Sequence, residues 1–167
     1  MAGYGSNEGL LAYLASMGMS LPDGADPDVL RQIGSDYVDG AYGYMLFCSQ
    51  KTGGWDQGRE WPRSGHRYNG QDVPDTLIPQ AWVNASYRAA YLTAITPGWA
   101  TTGTDASRQT KRERVEGAVE VEYFANADAA GSSVAPGYPS DSIINGAILP
   151  WLCEANKRSM KSLFIVV

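Results

Sequence analysis

Residues Trp61–Tyr91 read WPRSGHRYNGQDVPDTLIPQAWVNASYRAAY, and the point at which this stretch changes character decides the fold. Its first half, Trp61 to Asp75, holds two prolines, two glycines, Arg63, His66 and Arg67, with almost no aliphatic residue. Such a segment sustains neither a helix nor a central strand, so an ordered loop is expected. In the second half Ile78, Trp82, Ala85, Ala89 and Leu92 recur at helical spacing and mark one face of a helix. Pro79 suits the first helical position, and Thr96 before Pro97 and Gly98 marks the stop.

Upstream, Gln50 to Glu60 is rich in glycine and joins the Trp61 loop, so residues 49–77 form one long excursion. Loops of that length in compact domains are functional or disordered. Trp55, Trp61 and Tyr68 favour order. Before it, Asp26-Pro27 starts a helix through Val29, Leu30, Ile33, Tyr37, Val38 and Ala41, ending between Gly43 and Cys48. Gly34, Gly40 and Gly43 are read as places where another helix approaches closely. Ser6 caps a first helix from Asn7 to Met17, with Leu10, Leu11, Leu14 and Met17 as its apolar stripe and Gly18 as its stop.

Downstream, residues 97–107 read as a Gly/Thr-rich linker. Arg108, Lys111, Arg112 and Arg114 then form a basic patch, able to meet phosphates or an acidic protein surface, or to stay solvated. Val115, Gly117, Val119, Val121 and Tyr123 alternate with acidic or small residues, as in a half-buried strand. That strand needs a partner from this chain or another. After a small-residue loop, Ser140 caps a helix predicted to run to Ala155, kinked or broken at Pro150. Ser162 to Val167 is apolar and β-prone. It is expected to stay unordered until it adds as a strand, to Val115–Tyr123 or to a partner.

The fold class is therefore mainly α (α+β): a bundle of about four helices with long ordered loops and a small β element. The division expected is 1–125, a helical domain carrying the 49–77 excursion, and 126–167, a C-terminal extension docking on neighbours. A net charge of −5 over 167 residues disfavours generic nucleic-acid binding, which rests on Lys and Arg neutralising phosphates. Cys48 and Cys153 belong to no CxxC pair, which argues against zinc and suggests two reduced thiols in a cytosolic protein. The N-terminal residues carry no secretory pattern, and no apolar run is long enough for a membrane span. No P-loop, nucleophile elbow, HExxH or His/Cys cluster occurs, so no enzyme, catalytic residue, metal or cofactor is expected. His66 lacks any partner signature for a catalytic base. Arg63 is read as a loop clamp in preference to an anion site.

Trp61-Pro62-Arg63-x-Gly65, Gly70, Val73-Pro74, Ile78-Pro79, Ala85 and Ala89-Ala90 together resemble a family of small tailed-bacteriophage proteins. The resemblance extends to Tyr4-x-Ser6 and to Arg114–Tyr123. The family is often labelled DnaT-like single-stranded-DNA-binding, and many members are understood as head–tail connectors. It implies a virion neck protein, assembled in the bacterial host cytoplasm. The subunit would join a closed homo-oligomeric ring of about twelve copies. That ring would bind the portal protein and tail or neck proteins, with genomic DNA passing through its lumen during ejection. Trp61, Pro62, Arg63, Gly65, Gly70, Pro79 and Trp82 would structure the loop. Arg108, Lys111, Arg112, Arg114, Val119, Val121, Tyr123, Trp151, Leu163, Phe164, Ile165 and Val166 would meet neighbours or portal. The alternative is a phage ssDNA-binding replication accessory protein, using Trp55, Trp61, Tyr68, Arg63 and Arg67 as a stacking and basic groove.

Overall fold

The computed structural model describes residues 2–101, 110–116, 118–123 and 137–153. Among these the fold is α-dominant: four α-helices, two short ladders in the 49–77 excursion, and one β-hairpin.

Helix α1 (Asn7–Ser16) begins at Ser6, whose hydroxyl accepts the Gly9 N–H. It ends at Gly18, which sits at φ +69°, while Gly18 N bonds Ala15 O and Met19 N bonds Leu14 O. That pair of bonds is the Schellman arrangement, which favours glycine because the left-handed region penalises a Cβ. Leu10 and Leu14 are buried, but Leu11 and Met17 are 48% and 43% exposed, so the stripe is narrower than the spacing suggested. Helix α2 (Pro27–Tyr42) is capped by Asp26, which accepts from the amides of Asp28 and Val29.

Helix α3 (Gln80–Ile95) is the centre of the molecule. Trp82, Val83, Ala85, Ser86, Tyr87, Ala89, Ala90 and Thr93 are buried, which covers most of its circumference. A helix apolar nearly all round must be enclosed, and α1, α2 and α4 pack against it. Pro79 occupies the cap position, one place before the first helical residue, and its carbonyl accepts the amides of Trp82 and Val83. Helix α4 (Ser142–Ile148) is capped by Asp141 and not by Ser140; the Asp141 carboxylate accepts from Ile143 N and Ile144 N. It stops before Pro150 and passes into a 3-10 turn, Leu149–Trp151, instead of continuing to Ala155. Proline lacks the amide the α ladder needs at that point.

Gly34 sets the α2–α3 approach. A Cβ built there would lie 2.2 Å from the Ser86 carbonyl oxygen and 2.7 Å from Ala90 N. Both atoms are backbone and cannot turn aside. Gly34→Ala is therefore expected to destabilise by about 1–3 kcal/mol despite alanine's better helix propensity. Urea unfolding would check this; an unchanged midpoint would mean the two helices can part without loss.

The excursion is a built structure. Strand β1 (Gln50–Lys51) pairs antiparallel with β2 (Arg63–Ser64), and β3 (Arg67–Tyr68) with β4 (Gln71–Asp72). The second ladder turns through Asn69 and Gly70 at φ +50° and +82°. Two successive positive φ values give the type I′ geometry that Asn-Gly favours.

Two expectations are corrected. Strand β6 (Ala118–Tyr123) finds its partner within the chain: β5 (Thr110–Glu116), the basic stretch itself, in register Arg112↔Glu122 and Arg114↔Glu120. The basic positions thus stand opposite acidic ones in a hairpin, where a single strand running through Gly117 was expected. The proposed pairing of residues 163–166 lies outside the described residues. Cys48 and Cys153 are not free thiols but a disulfide, their Cα atoms 5.8 Å apart across a separation of 105 residues. That spacing is ordinary for a bridge; nothing in the local sequence announces it, because packing of α4 beside the excursion creates it. No helix among the described residues is long and apolar enough to cross a membrane.

Candidate functional site

The excursion is held from beneath by two buried arginines. Arg63, 6% exposed, donates from Nε to Ser49 Oγ at 2.8 Å. Its Nη2 donates to the carbonyls of Leu46 and Ser49, and its Nη1 to the Glu60 carbonyl and carboxylate, the latter at 2.7 Å. Burial pushes the guanidinium's pKa down, and the Glu60 carboxylate opposes that shift. Gly43 makes room for Glu60, since a Cβ there would sit 2.6 Å from the Glu60 Cγ.

Arg59 joins the excursion to the first residues of the chain. It donates to Asp36 at 2.6 Å, to Asp39 at 3.4 Å and to the Ala2 carbonyl, and lies over the Tyr4 ring. Asp39 also accepts from Tyr4 Oη at 2.6 Å and Trp82 Nε1 at 3.1 Å. Its pKa is raised because burial penalises the charged form more than these donors favour it. The Tyr4 phenol is pushed up by burial and by the neighbouring Asp39 charge. Tyr4 Oη in turn accepts the Trp61 amide. No local pattern points to this Tyr4–Asp39–Arg59 centre, whose members are scattered along the chain.

Around it the aromatic rings pack on one another. Trp61, 1% exposed, stands edge-on to Trp82, His66 and Trp151, with centroids 6.0, 4.8 and 5.9 Å away. Trp151, expected at an intermolecular interface, stacks on Tyr68 at 4.2 Å inside the molecule. His66 is buried, with Nδ1 3.1 Å from Ser49 Oγ. Pro62 follows a cis peptide bond, and Gly65 and Gly70 hold positive φ. Lys111, Arg112, Arg114, Val119, Val121 and Tyr123 lie on the hairpin strands. Arg108, Leu163, Phe164, Ile165 and Val166 lie outside the described residues.

This geometry separates the five residues considered for a stacking groove. Trp61 and Arg63 are buried and spoken for, and Tyr68 is covered by Trp151. Arg67 is exposed but paired with Asp72 at 3.0 Å. Trp55 alone of the five stands clear: it is 103% exposed, on a 3-10 turn, Gly54–Asp56. Beside it runs an open groove of about 460 Å³ whose lining includes Gln50, Lys51, Gly54 and Trp55. Lys51 reaches Glu60 at 2.9 Å, and Glu60 also meets Arg63. Two cations thus share the Glu60 carboxylate: Lys51, which lines the groove, and Arg63, which is buried. Asp56 adjoins Trp55 on the same turn. Gly54, at φ +70°, allows the turn that lifts the indole outward. Among the described residues no group of His, Cys, Asp and Glu side chains could hold a metal ion.

A family model described as "Putative DnaT-like ssDNA binding protein" matches residues 2–166. No curated protein and no solved structure matches the chain. This overturns the expectation of a virion head–tail connector. The family spanning the chain is described by ssDNA binding, and nothing found supports a portal, tail proteins or a twelve-copy ring. The chain belongs to the DnaT-like ssDNA binding family.

Proposed function

We propose that this family member binds single-stranded DNA through the Trp55 groove, as a binding protein and not a catalyst. The observation that carries the reading is Trp55 itself, an indole wholly exposed beside Lys51 on a loop braced by Arg63. A large apolar ring held in water gains nothing for the fold, whereas an exposed aromatic face accepts any base by stacking. Lys51 stands where the backbone of a stacked strand would pass. With about one or two phosphates neutralised, the slope of log K against log salt should be shallow, near −1. The family description supports the same ligand.

Titration with oligo(dT), followed by quenching of tryptophan fluorescence, tests it. Trp55→Ala is expected to weaken binding by about 1–3 kcal/mol, the worth of one base–aromatic stack, and to leave the melting temperature unchanged. Equal affinity of Trp55→Ala and the parent would remove the groove from the account; no binding by the parent would remove the function.

A further inference from the structure

A second groove, of about 480 Å³, runs between the N-terminal halves of α1 and α3 and shares no described lining residue with the Trp55 groove. One side is built around the Tyr87 hydroxyl, which accepts the Ser6 amide at 2.9 Å and donates to the Ser6 carbonyl at 3.2 Å. A Cβ would lie 1.8 Å from that oxygen at Gly5 and 2.5 Å at Gly9, so the two glycines make its seat. On α3, Gln80 and Asn84 stand one turn apart, and Gln80 Nε2 donates to Asn84 Oδ1 at 2.9 Å. That bond orients both carboxamides. It leaves Gln80 Oε1 as an acceptor and Asn84 Nδ2 as a donor, neither with a partner among the described residues. Half-buried Tyr13 also lines the groove, its ring 5.9 Å from that of Tyr87.

No cation or carboxylate lines this groove among the described residues. Glu8, whose carboxyl is held below the usual range by its own amide and then by the Ser6 hydroxyl, sets a negative charge beside Ser6. A phosphate is therefore disfavoured there. The lining suits a neutral planar group that carries a donor and an acceptor on one edge. An unpaired nucleobase is such a group: its ring can lie against an aromatic side chain and its pairing edge can meet a donor and an acceptor. In a duplex that edge is already occupied by the complementary base. The two grooves are also linked through the chain. Thr52, next to Lys51, donates to the Asp75 carbonyl at 2.9 Å. Gln80 follows Asp75 by five residues, at most about 18 Å of chain. One strand of a few nucleotides covers that span.

On the reading that this chain binds single-stranded DNA, we propose that the α1–α3 groove takes an unpaired base of the strand held at Trp55. Gln80 and Asn84 read the pairing edge of that base, and this contact selects single strands over duplexes. Trp55 supplies stacking; the carboxamide pair supplies the discrimination.

Two oligo(dT) ligands test it, one ordinary and one with every thymine methylated at its ring N–H. The methyl groups keep the bases aromatic and the phosphates unchanged but remove the donor of the pairing edge. Both are titrated against the parent and against the double variant Gln80→Ala/Asn84→Ala, whose sites are exposed and half-exposed on α3. The parent is expected to bind the methylated ligand about tenfold more weakly, the worth of one or two hydrogen bonds. The double variant should bind both ligands alike, at about the parent's affinity for the methylated one. Its salt slope should match the parent's, since no phosphate contact is lost. Equal affinity of the parent for the two ligands would overturn the proposal and leave the Trp55 reading standing. A double variant that still discriminates between them would overturn it too, placing the edge contact elsewhere. No binding of either ligand by the parent would overturn the Trp55 reading and this groove's role with it.

Discussion

Arg63→Ala is expected to lower stability by about 3–5 kcal/mol. The guanidinium is buried and makes five hydrogen bonds, to Ser49 Oγ, the carbonyls of Leu46, Ser49 and Glu60, and the Glu60 carboxylate. Removing it takes the Arg63 donors from the Ser49 and Glu60 carbonyls, while the Leu46 carbonyl keeps the Ser49 amide, and it weakens the hold on Glu60, which keeps only Lys51 as an ionic partner among the described residues. Each buried acceptor left without a donor costs about 1–3 kcal/mol, and partial entry of water lowers the sum. For a chain of this size about 2–4 °C accompanies each kcal/mol, so a fall of about 10 °C in melting temperature is expected. Arg63→Lys should recover little, because one ammonium cannot reproduce a planar fork that reaches both Ser49 and Glu60. A lysine variant that melts with the parent would show that charge alone, and not the fork, holds the loop.

That clamp also shows what the sequence could and could not disclose. The proline- and glycine-rich run from Trp61 to Asp75 excluded long elements, and a cation in such a loop needs carbonyl or carboxylate partners. The partners themselves, Leu46 and Ser49, precede Arg63 by 17 and 14 residues, and no periodicity links them. Helix α3 was visible as an apolar face, yet its burial on nearly every side was not, since Ser86 and Thr93 read as polar. Each satisfies its hydroxyl on its own helix, through the Val83 and Ala89 carbonyls, and so enters the core without penalty. The Asn69-Gly70 pair was a readable hairpin signal, hidden by strands of only two residues. The hairpin β5–β6 was legible by half: Val119 and Val121 alternate, whereas a strand of mostly charged residues beside it carries no hydrophobic period. Trp55 was visible as an aromatic in a loop. Whether it packs inward, as Trp61 does, or stands in water depends on the turn at Gly54 and on which rings fill the interior first.

Reduction of the Cys48–Cys153 disulfide is expected to destabilise the chain by about 4–5 kcal/mol. Closing a loop of about 100 residues removes that much chain entropy from the unfolded state in the loop-closure account, and native bridges in small domains are worth about 2–5 kcal/mol. The bridge joins the start of the excursion to the residue two beyond the 3-10 turn that follows α4, so its loss should be felt unevenly. Helices α1, α2 and α3 keep their mutual packing. Helix α4 keeps Ile144 and Ile148 in the core and the Arg88–Asp141 ion pair at 3.2 Å, but the Tyr68–Trp151 stack loses the covalent constraint beside it. Thermal unfolding of the oxidised protein, the protein in dithiothreitol, and Cys48→Ser should therefore give one high and two similar lower midpoints. The fluorescence of the Trp151 region should change before the helical signal is lost. Equal midpoints with and without reductant would mean that the packing of α4 alone brings the two sulfurs together, and that the bridge adds no constraint the fold had not already imposed.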